Sequence, residues 1–480
     1  MIKTFGLTFL QKFFRISIIH CSLNALFILL SKCLSSVTNI HINQPLLLSE
    51  VEIRRKANVL VKLNTNRLIK TEYQRIGYYE IVMFAFLLLE FLFLACDKVG
   101  DSNTRTAYLL TYEFGFHSQS LIGSIIYLFT DKITSRLIYI IAIVSFLVLA
   151  FQISILLGSL IRTSQQSVKS SVIIFTMLFL ASPLSVTYLL GMHTERLDVY
   201  WIFITLLALV FLKRPILRWL IPILCAIAVS IHQGYMSTYM PALAILLLYE
   251  VYRNKYSIKS IAVFILSCIT MISLFVFFQF AHPSYPFENA ADFAKYLSAK
   301  SDFSASAPML YIGFLAPFKD WFYGYVLPFT KSYALPLGIV FLTFSSPLIV
   351  VFLYVWKQSL KNADKKFLKF IFFLCVAAPL VFLPAAVLAN DWDRYWAAAV
   401  NNQFILVFYF IYSKEEVVIK GVKKVGEFFE QHILLLIMIL IFTNSFTFSQ
   451  LATDIFSFIK DRETTANLIN SFFNKRVNGY

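Results

Sequence analysis

The side chains best suited to chemistry fall in four short polar stretches of an otherwise apolar chain. The first, residues 97–123, carries Asp97, Asp101, Arg105, Glu113 and His117. The second is His193-Thr-Glu195-Arg196-Leu-Asp198, the third is the pair His232-Gln233, and the fourth is Asn390-Asp391-Trp-Asp393-Arg394-Tyr-Trp396. A carboxylate or an imidazole can take the proton of an attacking hydroxyl. Asp97, Asp101, Glu113 and His117 are therefore the catalytic candidates. Arginine holds phosphate or diphosphate by paired hydrogen bonds. Arg105, Arg196 and Arg394, with His193, Glu195, Asp198, His232, Gln233, Asp391 and Asp393 around them, are the candidates for substrate binding. The plainer alternative makes each group an interfacial cap or half of a structural ion pair, Glu195 with the neighbours of Arg196 and Asp393 with Arg394.

Other chemistries lack their signatures. His193 and Glu195 are two apart, and neither His-Glu-x-x-His nor Cys-x-x-Cys occurs. The six cysteines (Cys21, Cys33, Cys96, Cys225, Cys268, Cys375) are scattered, mostly in apolar runs, and read as small packing residues. There is no Walker loop to hold ATP and no Gly-x-Ser-x-Gly elbow. The reading calls for no cofactor. A divalent cation on Asp97 or Asp101 stays open, signalled by no motif.

The elements that must position these groups are membrane helices. Of 480 residues, 59% are hydrophobic and 14% charged, with 50 Phe and a mean hydropathy of +0.73. The expected fold is all-α, a polytopic transmembrane bundle. Apolar runs at about 78–95, 133–157, 172–190, 199–212, 216–231, 235–251, 260–280, 334–355, 367–388, 397–412 and 432–448 give about 11 spans, or 12 if 13–34 also crosses. Several are shorter than the ~20 residues of a full crossing. Pro215, Pro222 and Gly234 interrupt the group from 199 to 251, so short or broken helices are expected there. Residues 1–77 read as an extension ending in a basic flank without a clear cleavage site, 78–448 as the membrane domain, and 449–480 as a tail.

Charge orients this walk. Lys213, Arg214 and Arg218, then Arg253, Lys255 and Lys259, then Lys357 to Lys369, then Lys414 to Lys424 fall in alternate connections, whereas 191–198, 232–234 and 389–396 hold only Arg196 and Arg394. The positive-inside rule places the basic connections in the cytoplasm and leaves 97–131 and 281–333 as outer loops. The net charge of +16 follows from this asymmetry and calls for no nucleic acid. Tyr108, Leu109, Tyr112, Phe116 and, less regularly, Leu121 are spaced for a helix lying on the membrane surface. On such a helix Glu113 and His117 share a face. The second outer loop has a short helical pattern, Asn289 to Ser298, then a ring-rich stretch from Tyr311 to Tyr325 suited to the headgroup level.

All four polar stretches thus fall on the outer side. An enzyme there has neither ATP nor nucleotide sugar to hand, so its activated substrate arrives attached to a lipid. The reaction that fits is glycosyl transfer from a polyprenyl-phosphate or -diphosphate sugar, with the lipid phosphate leaving and Arg105, Arg196 or Arg394 stabilising its charge. Tyr112-Glu-Phe-Gly-Phe-His-Ser-Gln-Ser-Leu-Ile-Gly-Ser124, Glu195-Arg-Leu-Asp-Val-Tyr200, Ile231-His-Gln233 and Asn390 to Trp396 resemble blocks of the Wzy-type and EpsG-like polymerases of bacterial surface polysaccharides, and more distantly the GT-C membrane glycosyltransferases. The resemblance covers about residues 78 to 412. It implies an acidic catalytic residue in the first outer loop, by position Asp97, Asp101 or Glu113, and matches Arg196 and Arg394 in role to outer-face arginines. It also implies the bacterial cytoplasmic membrane, a polyprenyl-linked saccharide as substrate, and other polysaccharide-assembly proteins as partners. The rival is a transporter or flippase of lipid-linked oligosaccharide, which would need polar groups at mid-membrane depth. Candidates there are Gln152, Ser154, Thr176, Thr205, Ser230, Asn401 and Asn402.

Overall fold

The computed structural model describes residues 77–95, 102–180, 182, 185, 190, 194–280, 286–316, 318–327, 335–383 and 392–445. Among them every regular element is helical, and the sole β feature is an isolated bridge between Ile133 and Ser301. In chain order the α-helices are α1 (Tyr78–Ala95), α2 (Ser102–Leu109), α3 (Leu121–Tyr127), α4 (Ser135–Thr163), α5 (Gln166–Leu180), α6 (Asp198–Leu212), α7 (Ile221–Ile231), α8 (Met240–Arg253), α9 (Ile258–Phe280) and α10 (Ala290–Ala299). They continue as α11 (Ala307–Leu310), α12 (Phe318–Trp321), α13 (Leu335–Asn362), α14 (Lys366–Ala377), α15 (Trp392–Tyr412), α16 (Glu416–Gln431) and α17 (Ile433–Ser445).

The chain divides into two compact units between Phe86 and Leu87, within α1. The described part of the first is Gly77–Phe86, where Glu80 takes the Gly77 N–H at 3.1 Å. Everything below concerns the second. Among its described residues three helical segments are long and apolar enough to cross a membrane: Ser135–Thr163, Ile258–Phe280 and Phe341–Asn362. Gln166–Leu180, Asp198–Leu212 and Leu217–Ile231 are apolar but shorter. At ~1.5 Å per residue they fall short of a ~30 Å hydrocarbon layer. The breaks have local causes. Pro222 sits in the first turn of α7 and Pro241 in that of α8, where the missing N–H costs nothing.

The long helices leave apolar stripes uncovered. Val144, Val148, Phe151 and Ile155 on α4, and Ile265, Ile269, Ile272 and Val276 on α9, are exposed at a repeat that keeps each set on one face. Uncovered apolar surface of this extent belongs against lipid or a partner.

Helix ends sort to two poles. At one, Lys213 after α6, Glu250 near the end of α8, Ser260 at the start of α9 and Ser413 after α15 are hydrogen-bonded through Lys213 and Arg218. At the other, the start of α6, the end of α7, the end of α9 and the start of α15 meet. The basic connections after α6, α8 and α15 thus share one end. The first pole is called the Lys213 end, the second the Asp198 end.

The basic stretch after Tyr412, read from sequence only as a charged connection, contains the helix α16. Val418, Val422, Val425 and Phe429 form its buried face, while Lys420, Lys424, Glu427 and Glu430 are exposed. α16 packs on both α5 and α13. Gly426 permits the approach: a Cβ there would lie 2.7 Å from the Cα of Ser171 and closer still to its side chain. Gly426→Val is therefore expected to lower stability by about 1–3 kcal/mol, the range for overpacking, read as an earlier unfolding midpoint in detergent. Gly421→Ala, whose Cβ would meet the Val355 carbonyl at 3.3 Å, should cost less.

Candidate functional site

The site is built on the first turn of α6. Asp198 opens that helix, where a carboxylate is favoured by the aligned peptide N–H groups. Its Oδ1 accepts a hydrogen bond from Nε of Arg394 at 2.5 Å, and both side chains are largely buried. The Arg394 guanidinium also lies 4.6 Å over the ring of Trp201, one helical turn below Asp198. Oδ2 of Asp198 is buried without a hydrogen-bond partner among the described residues.

Trp201 is itself fixed. Its Nε1 donates to the Ala228 carbonyl at 3.2 Å, and the His232 ring meets it edge-on at 5.3 Å. Nδ1 of His232 accepts the Gly234 N–H at 2.9 Å, which leaves Nε2 to carry the proton of the neutral ring. Burial, with Arg394 adding to it, pulls the His232 pKa well below its ordinary value. His232 is a neutral positioning group here.

The first polar stretch closes over this turn. Arg105 forms a two-pronged pair with Glu195, Nε to Oε2 at 2.7 Å and Nη2 to Oε1 at 2.9 Å, and Glu195 is 1% exposed. Tyr108 is fully buried among Tyr200, Glu195 and Asp198; burial first, then those neighbours, raises its pKa well above the usual phenol value. The Ser118 hydroxyl accepts the Gln233 N–H at 2.9 Å, and the Gln119 N–H reaches the Ser230 carbonyl at 3.2 Å. The Gln233 side chain accepts from Gln279 at 2.5 Å. Arg105, Glu195, Asp198, His232, Gln233 and Arg394, from all four polar stretches, are thus brought to one end of the bundle.

Several expectations are corrected. Residues 108–121 do not form one surface helix. α2 ends at Leu109, a short 3₁₀ turn covers Tyr112–Phe114, and Gly115 follows at φ 114°, a conformation that breaks the helix. Glu113 and His117 therefore do not share a helical face. His117 is buried, its Nδ1 2.7 Å from the Ser120 hydroxyl and 3.1 Å from the Ser118 carbonyl, and burial lowers its pKa. Arg394 pairs with Asp198 and Arg105 with Glu195, so both acids act as counter-ions to distant arginines. Arg196 is partly buried beside Glu195. Asp97, Asp101, His193 and Asp391 lie outside the described residues, and so does the side chain of Asp393, whose backbone belongs to α15.

Glu113 stands apart from this packed cluster. It lines a cavity of about 340 Å³ with Thr111, Tyr112, Ser124, Tyr127, Leu128 and Lys300. Its Oε1 accepts from the Tyr296 hydroxyl at 2.5 Å and its Oε2 from Lys300 at 2.7 Å. Partial desolvation opposes ionisation, but these two donors prevail and hold the carboxyl below its ordinary value. Lys300 is correspondingly raised. Across α3 lies a second cavity of about 420 Å³, lined by Ile122, Ile125, Ile126, Phe129, Thr130, Leu137, Ile141 and Tyr200. Leu128 and Phe129, after α3, are 78% and 84% exposed. The two loops are fastened to each other. The Ser135 N–H and hydroxyl bind Asp302 at 2.7 and 2.9 Å, and the Ser306 N–H binds Thr106 at 2.7 Å.

The residues missed from sequence are Tyr108, Tyr200, Trp201, Tyr296 and Lys300. Trp201 was findable as the residue three after Asp198, and Tyr296 and Lys300 as neighbours four apart on α10 and its cap. Among the described residues no group of three or more His, Cys, Asp or Glu is placed to hold a metal ion. In comparisons with known proteins no family model matches this chain, and neither does any curated protein or solved structure.

Proposed function

We propose that the protein is an integral membrane glycosyltransferase, acting as a polysaccharide polymerase on polyprenyl-phosphate- or diphosphate-linked saccharide at the outer face of a bacterial cytoplasmic membrane. The observation that carries this reading is the meeting of the four polar stretches at the Asp198 end, flanked by an acid-lined cavity and an apolar cavity on opposite sides of α3. The bundle crosses the membrane with its Lys213 end in the cytoplasm, in keeping with the basic connections there. Its short helices fill out the remaining crossings of the 11 or 12 expected.

The chemistry assigns each part a task. The apolar cavity beside Tyr200 takes the first isoprene units of the donor. Arg394, oriented by Asp198, faces the phosphate, and its charge offsets the one that grows as the glycosyl–oxygen bond breaks. The acceptor hydroxyl attacks the anomeric carbon, the lipid phosphate leaves with the bonding pair, and Glu113 takes the hydroxyl proton. Lys300 and Tyr296 keep Glu113 ionised beforehand. Most polar groups at mid-depth are spent on backbone carbonyls, which favours an enzyme over a transporter: Ser154 on Ala150, Thr176 on Val172, Thr205 on Trp201, Asn401 on Ala397 and Asn402 Nδ2 on Thr238, while Oε1 of Gln152 and Oδ1 of Asn402 are buried without a hydrogen-bond partner among the described residues.

The test is purified protein in detergent with a lipid-linked oligosaccharide, where no second leaflet exists. Chain extension is expected, and Glu113→Gln should slow it about a hundredfold or more, the usual weight of a general base, while the protein still inserts. No new glycosidic bond with matched substrate would favour a flippase. Full activity in Glu113→Gln would remove Glu113 from the reaction.

A further inference from the structure

The Lys213 end carries a cavity that the reaction above does not use. It has a volume of about 290 Å³ and lies between α4, α6 and α15. Its walls are Ile153, Leu156 and Leu160 from α4, Ile202, Leu206 and Leu209 from α6, and Phe404 and Phe408 from α15. Lys213, Arg214, Tyr409 and Tyr412 line its mouth at the Lys213 end, and Ser159, Tyr239 and Asn401 are its other polar residues. Ile155, Val210 and Tyr412 on its rim are exposed, so it opens sideways on the apolar flank as well as toward the basic pole.

Length and charge select the occupant. From Ile202 to Arg214 the α6 wall runs about 18 Å at ~1.5 Å per residue. That is close to one leaflet of a ~30 Å hydrocarbon core. An acyl chain of a bilayer lipid fits this depth, whereas an isoprenoid chain long enough to traverse both leaflets outruns it. Lys213 is tied to Glu250 at 2.8 Å and Ser413 at 2.6 Å, so its charge is compensated in part. Arg214 is exposed and makes no ion pair among the described residues. Arg218, bound to the Leu212 carbonyl at 2.8 Å, adds positive charge to the same turn. The mouth is thus cationic where the walls are hydrocarbon.

We propose that this crevice is a binding site for an anionic phospholipid of the cytoplasmic leaflet, with one acyl chain between α4, α6 and α15 and the phosphate on Arg214. The phosphate would sit at the Lys213 end of the crevice, away from the end where Tyr239 feels Asp198 and Arg394, and the proposal stands or falls independently of the glycosyl-transfer reading. Occupation would fill the space between three helices that otherwise meet around a void, and so would stabilise the bundle in anionic membranes.

The experiment is native mass spectrometry of the full chain, purified in mild detergent and supplied with phosphatidylglycerol, the zwitterionic phosphatidylcholine, uncharged diacylglycerol or a polyprenyl phosphate. Retention of phosphatidylglycerol is expected to exceed that of phosphatidylcholine and diacylglycerol by at least fivefold. Arg214→Glu, a change at an exposed position, should erase that preference. Leu209→Trp, which fills the crevice, should cut retention of every diacyl lipid while the protein stays monodisperse. Equal retention by wild type and both variants would overturn the site. So would indifference to headgroup charge, or a preference for polyprenyl phosphate. If Leu209→Trp misfolds, Arg214→Glu decides alone. Glycosyl transfer in detergent is a separate readout, and its absence leaves the lipid result standing.

Discussion

Glu250→Ala is expected to destabilise the protein by about 3–5 kcal/mol, the cost of removing one partner from a buried ion cluster. Glu250 is nearly buried at the Lys213 end and is the common counter-ion for three cations. Its Oε1 takes Lys213 at 2.8 Å, Arg253 at 3.4 Å and the Tyr409 hydroxyl at 2.8 Å, and its Oε2 lies 3.8 Å from Arg218. Without it, Lys213 is left beside Arg218 and Arg253 in a mostly apolar setting. Lys213 also lies 4.1 Å over the Tyr409 ring, an interaction too weak to replace a full negative charge. Burial already lowers the Lys213 pKa from 10.5 to about 8, against the pull of Glu250. The sign of the pH dependence follows. A lysine whose folded pKa is lowered binds its proton less tightly folded than unfolded, so stability falls as pH drops from 10.5 toward the folded value and is level below it. Removing Glu250 lowers the folded value further. The deficit of Glu250→Ala should therefore be full below the further lowered Lys213 value and shrink as pH rises toward about 8, so that it is smaller at pH 9 than at pH 7. Adding Lys213→Leu should restore part of the loss, since replacing both charges leaves nothing unpaired. Urea unfolding in detergent at pH 7 and pH 9 measures all three. A deficit under about 0.5 kcal/mol for Glu250→Ala would show that the cluster does not hold this end together.

The helical class was readable, because apolar runs are a local property of sequence. A chain that meets lipid shows its helices as apolar runs and its orientation as charge asymmetry, both local properties of sequence. The sorting of Lys213, Glu250, Ser260 and Ser413 to one pole follows from that asymmetry. α16 escaped because its six charged side chains mask a buried stripe of Val418, Val422, Val425 and Phe429. A period of 3.6 is present there beneath a charge density that hides it. The helix expected through 108–121 failed for the opposite reason. Its spacing was right, and Gly115 overrode it. That Arg105, Glu195, Asp198, His232, Gln233 and Arg394 share one end could be inferred from topology, but their pairing could not. Arg105 and Glu195 are 90 residues apart and Arg394 and Asp198 are 196 apart. The packing of α2 and α15 near the start of α6 brings these distant partners together.

Arg394→Lys should leave the protein folded and cut turnover by more than about tenfold, or ~1.4 kcal/mol of transition-state stabilisation. The argument rests on what a guanidinium does here that an ammonium cannot. Arg394 meets Asp198 through Nε, the nitrogen nearest its stem, and its Cζ lies 4.6 Å from the centroid of the Trp201 ring. Both contacts hold the guanidinium in place. A lysine supplies charge at one point, without the fork that matches two phosphate oxygens and without a plane to stack. Arg105 is the control. Its Nε and Nη2 already serve the two oxygens of Glu195, a closed pair suited to holding α2 against the start of α6. Arg105→Lys should therefore lower stability but leave turnover per folded molecule within about threefold, a difference below ~0.7 kcal/mol. Asp198→Asn keeps the shape of its side chain and removes the charge that orients Arg394. On the proposed reaction it should lower kcat rather than raise KM, since the phosphate contact would strengthen as the bond to the sugar breaks. The readout is kcat and KM for chain extension with purified protein, alongside a thermal midpoint for each variant. If Arg394→Lys loses stability and keeps wild-type kcat, the Arg394–Asp198 pair is structural, and the phosphate must be bound elsewhere at the Asp198 end.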